Sequence, residues 1–155
     1  MGAFQVSIDI ASTPATVFPL VAEPSSMKRW YEAVDDVAIT TDGATRRGTT
    51  YRIARSLPGG PATNVVEITD YDPDRHVTHE SLSGPTPFRY SYTLEPTLDG
   101  TKVVLDGLIT GAGILGRAAP ADHLATELFK SGMRKNLAAL KQLAEAPIPL
   151  FADDL

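Results

Sequence analysis

The sequence predicts an α+β fold: one curved antiparallel sheet of six or seven strands wrapped around a single long C-terminal helix. Three observations predict it. Between residues 34 and 110 apolar side chains recur with a period of two, in segments separated by turn residues. A strictly alternating strand, followed at once by helix-start chemistry, precedes that region. After it, residues 121–145 carry apolar side chains at the three-to-four spacing of a helix. A sheet with one apolar face and only one long helix to cover it leaves space between them, and that space is the expected pocket.

The first strand is read at 4–10, with Phe4, Val6, Ile8 and Ile10 on one face and Gln5, Ser7 and Asp9 on the other. Ser12-Thr13-Pro14 supplies a hydroxyl N-cap and a proline in the first helical turn. Glu23-Pro24 stops this helix near Ala22, because the residue before a proline avoids helical geometry. A second short helix or turn starts at Pro24-Ser25-Ser26 and leads to Met27, Trp30 and Tyr31. Strands follow near 34–41, 48–57, 62–71, 76–83, 87–95 and 102–110. Asp42-Gly43, Pro58-Gly59-Gly60-Pro61, Asp72-Pro73-Asp74, Gly84-Pro85 and Asp99-Gly100 mark the breaks. Connections this short imply an antiparallel meander. Gly111–Pro120 is rich in small residues, and one helix then spans 121–145 with Leu124, Leu128, Leu137, Leu140, Leu143 and Ala144 as its stripe. Pro147 and Pro149 end it. The chain of 155 residues thus reads as one domain, 1–146, with a tail at 147–155.

Composition narrows the function classes. There is no cysteine, which excludes disulfides, thiolate metal sites and a cysteine nucleophile. A formal net charge of −5 argues against nucleic acid or anionic lipid as partner. The N-terminus has no signal-peptide pattern and no apolar run approaches a membrane span, so a cytoplasmic protein without membrane insertion is expected. Gly59-Gly60 has no phosphate-loop pattern, no nucleophile elbow occurs, and the three histidines lack metal-ligand spacing. No cofactor and no metal is expected.

The element order, with "IASTPATVFPLVAEPSSMKRWYEAV", "GTTYRIA", "DYDPDRHV", "YTLEPTLDGTKVV" and "NLAALKQLAEA", resembles the polyketide cyclase/dehydrase branch of the START and birch-pollen-allergen superfamily (SRPBCC), over roughly residues 3–146. The resemblance implies a helix-grip fold holding a small hydrophobic, polyketide-like or lipid-like ligand. It implies a cofactor-independent cyclase or dehydratase, or alternatively a non-catalytic carrier or sensor. A protein-interaction module is a third reading, which the acidic tail and the absence of a charged arm leave weak.

Candidate cavity residues follow from alternation. Tyr51, Ile53, Arg55 and Leu57 share the more apolar face of their strand, while Thr50, Arg52, Ala54 and Ser56 share the other. Arg55 is therefore either a snorkelling strand-end residue or an anchor for a ligand oxygen. Relatives that cyclise aromatic polyketides are similar in using a third-strand arginine, and by that resemblance Arg52 matches as well as Arg55. Phe88, Tyr90, Tyr92 and Leu94 form an aromatic wall with two hydroxyl tips. His79 points inward, either as a satisfied core histidine or as an acid–base. Arg55, His79, Tyr90 and Tyr92 are the candidates for orienting and proton transfer. Trp30, at the pocket mouth, Tyr51, Arg52, Ile53, Phe88, Leu105, Leu128 and Phe129 are the candidate ligand contacts. Asp106 is expected to face solvent, and Gly107 and Gly132 to make room for a ligand or for close packing.

Overall fold

The structure, a computed structural model, describes residues 2–57, 59–109 and 121–146, with side chains in the last segment described from residue 126. Seven strands form one antiparallel sheet: β1 (Gly2–Ile10), β2 (Val34–Ile39), β3 (Thr50–Leu57), β4 (Gly60–Asp72), β5 (His76–Ser83), β6 (Phe88–Pro96) and β7 (Thr101–Ile109). Their order is β1-β7-β6-β5-β4-β3-β2. Helix α1 (Pro14–Ala22) and a 3-10 helix (Pro24–Arg29) carry the chain from the β1 edge to the β2 edge, and helix α2 spans Ala121–Glu145. Each strand boundary falls within two residues of the sequence expectation, and α2 coincides with it. The fold is thus the expected α+β helix-grip arrangement. Gly111–Pro120, the side chains of His123 and Leu124, and the tail 147–155 lie outside the described residues.

Local chemistry explains the entry into α1. The Thr13 hydroxyl accepts from the Thr16 amide at 3.3 Å, with Pro14 at the first helical position. The concave face of the sheet is the core: Val6, Ile10, Ile53, Ile68, Leu94, Val103 and Leu105 meet Val17, Val21, Leu137 and Leu140 from the helices. Helix α2 packs chiefly along β1 and reaches α1. Its C-terminal end is tied there, since the Ala11 amide donates to Glu145 Oε2 at 2.7 Å and the Ser12 hydroxyl donates to the Ala144 carbonyl at 2.7 Å. The other side of the helix stands off the sheet. Leu128, placed on the buried stripe by its spacing, is 45% exposed because a cavity and not a strand lies below it. Among the described residues no helix is long and apolar enough to cross a membrane, and no group of His, Asp or Glu is arranged to hold a metal ion.

The two glycines differ in use. A Cβ on Gly107 would lie 2.4 Å from the Phe4 ring, so that glycine serves close packing between β7 and β1. Among the described residues a Cβ on Gly132 would meet nothing within 4 Å. Asp106 faces outward and accepts from Gln5 Nε2 at 2.8 Å.

Candidate functional site

A cavity of about 350 Å³ opens between β3, β5 and β6, the 3-10 helix with the turn after it, and α2. Its walls are mainly apolar: Met27, Val34, Ile53, Phe88, Phe129 and Met133. The polar groups on it are few, as expected of a site that takes an apolar molecule in one orientation.

Arg55 is the principal one. It lies inward on β3, 6% exposed, as the alternation requires, and lines the cavity. One terminal nitrogen, Nη2, donates to Asn64 Oδ1 at 2.6 Å, to the Pro85 carbonyl at 3.1 Å and to the Thr86 carbonyl at 3.3 Å. The guanidinium carbon sits 5.0 Å from the centre of the Phe88 ring, a cation–π contact. Among the described residues no carboxylate forms an ion pair with Arg55. Among the described residues its buried Nε has no hydrogen-bond partner. Desolvation pulls the pKa down and the neighbouring tyrosines push it back, but an arginine keeps its charge at any physiological pH.

The turn after β5 holds this arrangement. Gly84, at φ 108, lies so close to β4 that a Cβ would stand 2.4 Å from the Thr63 carbonyl oxygen. Only glycine brings the Pro85 and Thr86 carbonyls onto Arg55 this way. Thr86 is strained, since a β-branched residue at φ 51 is an outlier, and among the described residues its buried hydroxyl has no partner.

His79 is buried on β5 and also borders the cavity, but both ring nitrogens are occupied. Nε2 lies 2.8 Å from the Val21 carbonyl, which can only accept, so Nε2 carries the proton. Nδ1 then accepts from the Tyr51 hydroxyl at 3.0 Å. Burial lowers the His79 pKa to about 4, against the pull of the Val21 hydrogen bond. This is a neutral histidine satisfied by the core, with no free proton acceptor at neutral pH.

The tyrosines divide likewise. Tyr92 is buried behind the wall, and its hydroxyl pairs with that of Tyr31, which does line the cavity. Tyr90 lines the cavity, and among the described residues its hydroxyl has no hydrogen-bond partner. Desolvation raises the pKa of Tyr31, Tyr51, Tyr90 and Tyr92, so all four stay protonated.

Of the candidates read from sequence, Arg55, His79, Tyr90, Tyr51, Ile53, Phe88, Leu128 and Phe129 come together on this cavity. Four do not. Arg52 lies on the exposed face of β3, because successive strand residues point to opposite sides. Trp30 is 3% exposed and donates from Nε1 to the Leu20 carbonyl at 2.9 Å, one ring behind Tyr31. Leu105 is core beneath the wall, and Tyr92 is committed to Tyr31. Sequence reasoning missed Met27, Tyr31, Met133 and Asn136 as lining residues, whereas Gly132, read as making room for a ligand or for close packing, lines the cavity. The 3-10 helix has no alternation to read, but Met133 and Asn136 stand at helical spacing from Phe129 and could have been found that way.

A family model described as "Polyketide cyclase / dehydrase and lipid transport" matches residues 1–145. No curated protein matches the sequence. Solved structures share the fold at low identity. A START superfamily protein from Mycobacterium smegmatis is 13% identical, with 92% of this chain and 97% of that chain covered at a TM-score of 0.73. A protein from Chromobacterium violaceum is 15% identical, covering 94% and 98% at 0.71. One from Thermus thermophilus is 17% identical, covering 93% and 94% at 0.69.

Proposed function

The chain belongs to the polyketide cyclase/dehydrase and lipid transport family, and from that membership we propose that its cavity encloses an apolar molecule carrying a carbonyl or carboxylate oxygen, held by Arg55. One observation carries the reading: a buried guanidinium opens on a mainly apolar cavity and, among the described residues, forms no ion pair with a carboxylate, although Glu32 also lines that cavity. A buried cation is costly unless paired, and a ligand oxygen supplies the missing partner. Tyr90, with its uncommitted hydroxyl, is the second polar contact.

Cyclisation or dehydration is the second reading. A carbonyl held by Arg55 would have its enolate stabilised by the same fixed charge. The walls would hold a flexible chain in reactive shape and keep water out. Loss of water from a β-hydroxy carbonyl releases a proton from the α-carbon and needs one on the departing hydroxyl; a residue that gives the second and takes up the first ends unchanged, and it must start with a free proton. Tyr90 has one that is not already given to a protein group, whereas His79 has both nitrogens engaged. The enclosed apolar walls support binding under either reading.

Arg55→Met tests the proposal, because it keeps the stem and removes the fork. A charge-assisted hydrogen bond contributes about 1.5–3 kcal/mol, so dodecanoate affinity should fall by roughly one to two orders of magnitude while dodecanol affinity holds. Folding should lose about 1–3 kcal/mol, since Asn64 Oδ1 and the Pro85 and Thr86 carbonyls lose a donor but, among the described residues, no buried counter-charge is stranded. Arg52→Met should change neither. Equal losses for acid and alcohol would refute the anchor, and a silent Arg55 beside a critical Arg52 would refute the assignment of faces.

A further inference from the structure

We propose that Gly132 sets the size of molecule the cavity accepts, by leaving open on α2 a space that any side chain would fill. The inference rests on the reading that the cavity holds an apolar chain. Gly132 lies well inside Ala121–Glu145, where glycine is the least favourable residue after proline. The usual reasons for a glycine are missing. It makes no turn, since it is within the helix. Among the described residues it allows no close approach, since an added Cβ would meet nothing of theirs within 4 Å, unlike Gly84 and Gly107, whose added Cβ atoms would each strike a neighbour at 2.4 Å.

What Gly132 does is line the cavity, in one wall with Phe129, Met133 and Asn136. Residues three and four apart on a helix share a face, so this face of α2 carries side chains on either side of a gap. The gap faces Arg55, Phe88 and Tyr90 of the sheet across the same cavity. A ligand anchored at Arg55 can run its apolar end toward that gap. A Cβ at 132 would meet no described residue within 4 Å, so a side chain there has the cavity to grow into and takes volume from the ligand.

The test compares Gly132→Ala and Gly132→Leu with wild type, using octanoate, decanoate, dodecanoate, tetradecanoate and hexadecanoate in competition with a fluorescent apolar dye. Ala138→Leu, on the exposed side of the same helix, is the control. Gly132→Ala should raise Tm by about 2–4 °C, because the helix gains a better former and loses no contact. Gly132→Leu should lose the longest chains that wild type binds, by about fourfold for each methylene displaced, and leave octanoate nearly unchanged. The preferred length should shorten by about two to four methylenes, with Gly132→Ala shifting it less and the control not at all. An unchanged chain-length profile in a folded Gly132→Leu, or a uniform loss at every length, overturns the proposal. Absence of saturable binding by wild type at every length overturns both this proposal and the reading beneath it.

Discussion

Acidification should destabilise this protein through His79. In the unfolded chain that imidazole takes up its proton near the ordinary value of 6.5, whereas in the folded protein burial delays protonation to about 4. Between those values the unfolded state binds more protons than the native state, so falling pH favours unfolding. The stabilisation is complete above the unfolded value, erodes as pH drops through 6.5, and is gone below about 4. Two to three units at 1.36 kcal/mol each amount to about 3 kcal/mol, a sizeable part of the roughly 5–15 kcal/mol that holds a typical domain. Urea unfolding of wild type and His79→Gln, followed from neutral pH to about 4.5, isolates the effect. Wild type should lose more stability on acidification than the variant, with the gap growing toward that figure. Parallel pH profiles, or an NMR titration of His79 near 6.5, would refute the account of a neutral, fully engaged histidine and restore it as an acid–base candidate.

Three further outcomes are expected. Gly84→Ala should cost at least about 2 kcal/mol in urea unfolding, because the new Cβ strikes the Thr63 carbonyl at a φ of 108, and it should also weaken dodecanoate binding by displacing the carbonyls on Arg55. Gly107→Ala should cost about 1–3 kcal/mol by pressing on the Phe4 ring, with ligand affinity retained because neither residue lines the cavity. Trp30 emission should shift on ligand binding although Trp30 touches no ligand, because its ring centre lies 4.4 Å from that of Tyr31, a cavity residue. Emission that stays constant through a saturating titration would contradict that coupling.

Most of the fold was legible because it rests on local chemistry. Alternation placed Arg55, Tyr90 and His79 inward and Arg52 outward, and a cap and prolines delimited α1. Alternation, however, reports only which face a side chain occupies, not what stands across from it. Leu105, Tyr92 and Arg55 all point inward, yet Leu105 is covered by core, Tyr92 by Tyr31, and only Arg55 meets the cavity. That division depends on the helix packing along β1 and standing off β3, a long-range matter with no period in the sequence. The engagement of His79 by Val21 and Tyr51 joins residues 58 and 28 positions apart, which spacing does not reveal. Nor does the sequence show that the carbonyls of a strained turn accept hydrogen bonds from Arg55.

The most direct test of the central claim is a crystal structure of the protein grown with dodecanoate. The account predicts a carboxylate oxygen within about 3.2 Å of the Arg55 guanidinium, with the alkyl chain between Phe88 and α2 and its end toward Gly132. A chain bound elsewhere, or one inside the cavity with its carboxylate turned away from Arg55, would contradict it.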